Sequence, residues 1–140
     1  MTQLLLPAMD FLVAIQEGNI QAVKTILEDG TDPNIRVVGF ANALQAAAWW
    51  ERVEIVTLLL QRGADVNARD DQLGTALEAA ADKSNTEIVR ILLDSGADVN
   101  SHGGIYVNAL RAAIRGGGEG GGGGAEIVKM LLDKGIKVDV

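Results

Sequence analysis

The chain has 140 residues, 48% of them hydrophobic, enough for one domain with a continuous core and too apolar for a disordered tail. Twelve Lys and Arg against nineteen Asp and Glu leave a formal charge of −7, which opposes a phosphate-backbone partner unless basic residues gather on one face, and they do not. The absence of Cys excludes disulfides, thiolate nucleophiles, thiolate metal sites and a disulfide-stapled secreted domain.

The opening Met1-Thr-Gln-Leu-Leu-Leu-Pro7 has no basic start and an apolar run of only three residues, so it predicts neither a signal peptide nor a membrane span. A soluble cytoplasmic or nuclear protein is the expectation. Further along, four apolar runs share one pattern: Gln21-Ala-Val-Lys-Thr-Ile-Leu27, Glu54-Ile-Val-Thr-Leu-Leu-Leu60, Glu87-Ile-Val-Arg-Ile-Leu-Leu93 and Glu126-Ile-Val-Lys-Met-Leu-Leu132. Their aliphatic residues recur at helical spacing and an acidic or amide residue opens each where the helix dipole favours it. Each run predicts a helix of about ten residues, the last over 126–134, closed by a glycine in the left-handed conformation. The glycines begin Gly30-Thr-Asp-Pro-Asn34, Gly63-Ala-Asp-Val-Asn67, Gly96-Ala-Asp-Val-Asn100 and Gly135-Ile-Lys-Val-Asp139. Gly30, Gly63 and Gly96 stand 33 residues apart.

Between these runs lie Asn42-Ala-Leu-Gln-Ala-Ala-Ala48, Thr75-Ala-Leu-Glu-Ala-Ala-Ala81 and Asn108-Ala-Leu-Arg-Ala-Ala-Ile114, each opening on a strong helix-capping residue. Thr75 with Glu78 has capping-box spacing and Asn42 with Gln45 is a near variant. They predict a second helix per unit, with small-residue faces that permit close stacking. One helix pair cannot bury its apolar faces alone, whereas stacked pairs make one continuous core. The segments between pairs, such as 67–74, would project as fingers.

In these residues the chain resembles the ankyrin repeat family, whose unit runs G-x-T-P-L-H-x-A-A, then E-I-V-x-x-L-L, then G-A-D-V-N. The likeness spans about residues 8–139, is strongest in the second and third units, and is partial in the first, where Met9 to Ile15 replaces the usual opening. Ala43, Ala76 and Ala109 replace the Pro of T-P-L-H, and Gln45, Glu78 and Arg111 replace its His, a form that resembles a variant common in fungal ankyrin arrays. The hydrogen bonds of that His must therefore be replaced. The resemblance implies an all-α solenoid of stacked helix pairs with β-hairpin-like finger loops, one domain over 1–140 with units at about 8–34, 35–67, 68–100 and 101–139.

The fourth unit is six residues too long, and the excess falls in the eight glycines and one Glu of 116–124. This run is expected to be a flexible surface turn between paired helices, either a low-complexity expansion or an engineered linker, because each doubling of loop length costs only about 0.6 kcal/mol. The other reading, a phosphate-cradling loop, lacks the flanking strand and the Lys-Ser/Thr that such a loop uses.

Chemistry-bearing constellations are sparse. His102 is the single histidine, so a multi-histidine metal site is excluded, and no nucleophile elbow is present. Asp70, Asp71 and Asp82 read as a solvated face. The sequence thus predicts no catalysis and no cofactor. In proteins of the resembled family the partner usually lies across finger tips and inner-helix ends. By register this implies a protein-binding surface of Arg36, Val38, Phe40, Trp49 and Trp50, then Arg69, Asp71, Gln72, Asp82 and Lys83, then His102, Ile105, Tyr106 and Arg115. Successive helical residues point about 100° apart, so Trp49 and Trp50 cannot both face one core stripe and at least one is expected to be exposed. Peripheral packing is the competing role for either Trp, and for Phe40 and Tyr106 at the finger base. Aromatics and Arg with mixed charge suit a protein partner, whereas nucleic acid needs a stronger basic stripe. The alternative is a small-molecule binder or unusual enzyme using Trp49, Trp50, Tyr106 and His102, which a deep pocket with a buried carboxylate would favour. The outer helix of the fourth unit keeps its full apolar set with no further unit in this sequence to cover it, so this end is expected to fray, to self-associate or to continue into more units in a parent protein.

Overall fold

A computed structural model of the chain describes residues 2–36, 42–70, 74–101, 108–117 and 123–136. Among them four helix pairs follow one another: α1 (Thr2–Glu17) with α2 (Ile20–Glu28), α3 (Ala43–Trp49) with α4 (Val53–Gln61), α5 (Ala76–Asp82) with α6 (Thr86–Asp94), and α7 (Ala109–Gly117) with α8 (Gly123–Asp133). The inner helices α1, α3, α5 and α7 stack in one row and the outer helices α2, α4, α6 and α8 in a second. The architecture is the all-α solenoid expected. Strand is confined, among the described residues, to one antiparallel hairpin at a finger, β1 (Arg69–Asp70) with β2 (Gly74–Thr75), Arg69 facing Thr75.

Local signals set the helix ends. The Asn19 and Asn85 side chains accept the Ala22 and Ile88 N–H groups at the starts of α2 and α6. At the start of α3 the capping box is complete, with Gln45 N–H donating to Asn42 and Asn42 N–H donating to Gln45 Oε1. Gly63 and Gly96 adopt φ +93°, and the residues after them close the helices with Ala64 N–H to Leu59 C=O and Ala97 N–H to Leu92 C=O. The turn inside each pair repeats too. Gly18, Glu51 and Ser84, one period apart, all have positive φ, although only the first is a glycine.

Alanine faces bring the inner helices together, and Phe11, Ile15, Ile55, Leu59, Leu77, Ile88, Leu92, Ile127 and Leu131 fill the core between the rows. A second, polar connection runs along the fingers. Asn34 donates to the Gly63 carbonyl and accepts Asp65 N–H, and Asn67 does the same for Gly96 and Asp98. Asn100 donates to the Gly135 carbonyl, so the six extra residues leave this ladder in register.

Two expectations require correction. The glycine run is not wholly a turn: Gly116 and Gly117 end α7, and Gly123 and Gly124 begin α8, which therefore spans 123–133 rather than 126–134. Gly116 is needed where it stands, since a Cβ there would fall inside van der Waals contact of the Asp82 carbonyl oxygen and 2.7 Å from its carbonyl carbon. Close approach of α7 to the end of α5 demands the absence of a side chain. In the first unit, Met9 to Ile15 form part of a longer helix, α1, that begins at Thr2.

The fourth unit does leave apolar surface open. Ile15, Ala48 and Ala81 occupy one register position and are fully buried by the unit that follows, whereas Ile114 at that position is 61% exposed. Leu132, in register with the buried Leu93, is exposed as well.

Candidate functional site

Trp49 is the last residue of α3 and Trp50 its C-cap, held by Trp50 N–H to Ala46 C=O. The helix up to that point is sealed by Ala46, Ala47 and Ala48, so the two rings have no stripe to enter. Both are partly exposed, Trp49 at 36% and Trp50 at 44%. One period on, the Lys83 ammonium sits 3.9 Å from the Trp49 ring centroid, a cation–π contact that ties the end of α5 to the end of α3. Next along the same edge Arg115 Nε lies 3.9 Å from the Asp82 carboxylate. The ends of three successive inner helices therefore form one ridge of Trp50, Trp49, Lys83, Asp82 and Arg115, aromatic at one end and mixed in charge towards the other.

The finger side is organised separately. Arg36 donates from Nη2 to the Arg69 carbonyl at 2.6 Å, so this guanidinium, expected to face a partner, also splints two fingers. Arg69 itself begins the β1–β2 hairpin. Val38, Phe40, Asp71, Gln72, His102, Ile105 and Tyr106 lie outside the described residues.

A feature the site expectations passed over is Glu78. Its side chain is 1% exposed at the base of the third finger, where burial pushes its carboxyl up to about 7 against the lowering effects of Thr75 and Arg69. Thr75 takes only part of the capping-box role: its hydroxyl accepts Glu78 N–H at 3.2 Å and stands 3.4 Å from Oε1, while Oε2 is buried without a hydrogen-bond partner. The sequence carried a signal for this, a carboxylate in an otherwise alanine-rich helix at the position of Gln45.

Of the clefts bounded by described residues, one of about 280 Å³ lies at the helix-pair turns around Gly18, Glu51, Arg52 and Glu54. Another of about 140 Å³ lies between α6 and α8 at Arg90, Asp94, Met130 and Lys134. Neither includes Trp49, Trp50 or Glu78. The buried carboxylate and the aromatic pair are thus not brought together in either of these clefts.

Helix pairs stacked in two rows and joined by a finger ladder define a helical repeat array. The family model for ankyrin repeats, in three copies, matches residues 11–103, and the chain belongs to the ankyrin repeat family. The matched span takes in α2 to α6 and the second half of α1 from Phe11 onward. No curated protein matches the chain. Ankyrin repeats are in general protein–protein interaction modules and typically non-catalytic. No helix among the described residues is long and apolar enough to cross a membrane.

Proposed function

We propose that this chain is a non-catalytic scaffold or adaptor that holds another protein along its fingers and inner-helix ends, anchored by Trp49 and Trp50. The observation that carries the reading is the placement of both tryptophans, half uncovered, beyond a helix whose other side chains are sealed. Tryptophan gives large rigid contact area at small entropic cost, and binding hot spots are enriched in it. Lys83 over Trp49 and the Asp82–Arg115 pair supply the polar, mixed-charge rim that surrounds such anchors. The net charge of −7 speaks against nucleic acid, and the absence of Cys suits a cytoplasmic or nuclear setting. We read the whole chain as one domain of four units, with the exposed Ile114 and Leu132 face of the last open to self-association.

The test is single replacement of each Trp. Trp49→Ala or Trp50→Ala should leave the circular dichroism spectrum intact in at least one case and weaken partner binding by more than about 2 kcal/mol, roughly thirtyfold. Unfolding of both variants, or normal binding by both, refutes the anchor role.

A further inference from the structure

The neck of the third finger, Gly74 and Thr75, is gripped from two sides. From α3, Gln45 donates its side-chain amide to the Gly74 carbonyl while its Oε1 accepts Asn42 N–H, so both ends of that amide are engaged. From α5, Glu78 lies against the other side of the same glycine, where a Cβ would stand 2.6 Å from Oε2. Gln45 and Glu78 are one period apart, and the amide is served at both ends where the carboxyl is not. A neutral carboxyl tolerates this seat. A carboxylate does not, because a buried negative oxygen requires donors or a counter-charge.

The charged groups around it set what happens on ionisation. Arg69, opposite Thr75 across the hairpin, favours the charged form. Helix α3 contributes no charged side chain. On α6, Glu87, Arg90 and Asp94 are exposed, and on α7 Arg111 and Arg115 are exposed, Arg115 being directed to Asp82.

We propose that Glu78 is a proton-controlled latch on the finger of the third unit: neutral, it lets Gly74 and Thr75 sit as observed, and ionised, it shifts the hairpin so that hydrogen-bond donors reach the carboxylate. The finger edge bearing Arg69 is thereby presented differently in the two states. The consequence for a partner rests on the protein-binding role proposed above; the finger movement does not.

The test therefore needs no partner. In the isotopically labelled full chain, the Glu78 carboxyl carbon and the backbone amides of Arg69, Gly74 and Thr75 are followed by NMR from about pH 5 to about pH 9. An unperturbed imidazole titrates in the same range and His102 is the single histidine of the chain, so Glu78→Gln and His102→Gln are measured beside wild type. The latch requires one shared midpoint near neutrality for the carboxyl and the finger amides, retained in His102→Gln and absent from Glu78→Gln. A Glu78 carboxyl that titrates in the ordinary carboxylate range overturns it, as do finger shifts that persist in Glu78→Gln and vanish in His102→Gln. Should Glu78→Gln fail to fold, the carboxyl signal in wild type and His102→Gln decides.

Discussion

Replacing Gly116 by alanine sets helix propensity against packing, and the structure decides which wins. In an isolated helix the change stabilises by about 1 kcal/mol, because glycine pays more backbone entropy. Here the added methyl meets backbone, which cannot rotate aside: the Asp82 carbonyl group, and the Ala81 carbonyl oxygen at 3.1 Å. Relief requires α7 to move away from α5, opening the contact between the buried faces of Ala81, Ala112 and Ala113. Overpacking of this kind costs up to about 3 kcal/mol, so the net effect is a loss of about 2 kcal/mol. For a domain of this size that lowers the melting temperature by roughly 8 °C. Thermal unfolding by circular dichroism reads the total, and amide hydrogen exchange locates it, with protection falling in α7 and α8 before α3 and α4. A Gly116→Ala protein as stable as wild type, or more so, would refute the close-approach argument.

Other expectations follow from single residues. The raised Glu78 pKa, about 7 against an ordinary 4.5, means the folded state holds a proton that the unfolded state releases. Its stabilising contribution is therefore complete below about pH 4.5 and is lost as pH rises through 7, by up to about 3 kcal/mol. Urea unfolding of wild type and Glu78→Gln should diverge over that window in favour of the glutamine, and parallel pH profiles would show that the carboxyl is not held neutral. Ser84 combines φ +55° with a buried, unpartnered hydroxyl, so Ser84→Gly should raise stability by about 1 kcal/mol in the same assay, and a loss would count against stored strain there. Because Ile114 and Leu132 lie open, α8 should exchange its amides faster than α4 or α6 in a dilute monomer; equal protection would contradict a weak fourth unit. Removing two glycines from within 118–122, leaving Gly116 in place, should change stability by less than about 0.5 kcal/mol in a melt, and a larger loss would mean that segment packs.

Periodicity made most of the fold legible. A helix pair that must stack to bury its apolar face stamps one 33-residue pattern on every unit, and Asn42, Thr75, Gly63 and Gly96 mark helix ends through bonds made with close neighbours in sequence. Such features can be read locally because their partners are local. That at least one of Trp49 and Trp50 is exposed followed in the same way, from the angle between successive helical residues, whereas the exposure of both is seen only in the structure.

What the tertiary structure decided involves groups one whole unit apart. Lys83 over Trp49, Arg36 on the Arg69 carbonyl, and Gln45 on the Gly74 carbonyl each cross from one unit to the next, and composition gives no sign of which side chain takes which role. The glycine run shows the difference most directly. In the sequence its members are equivalent, yet the path of α7 past Asp82 makes Gly116 a packing residue, because helix separation is set by the sealed alanine faces rather than by the run. Glu78 likewise reads as a helix-capping carboxylate until stacking closes over it. Burial then removes the water that would have solvated its charge, and a local cap becomes a titrating group at the base of a finger.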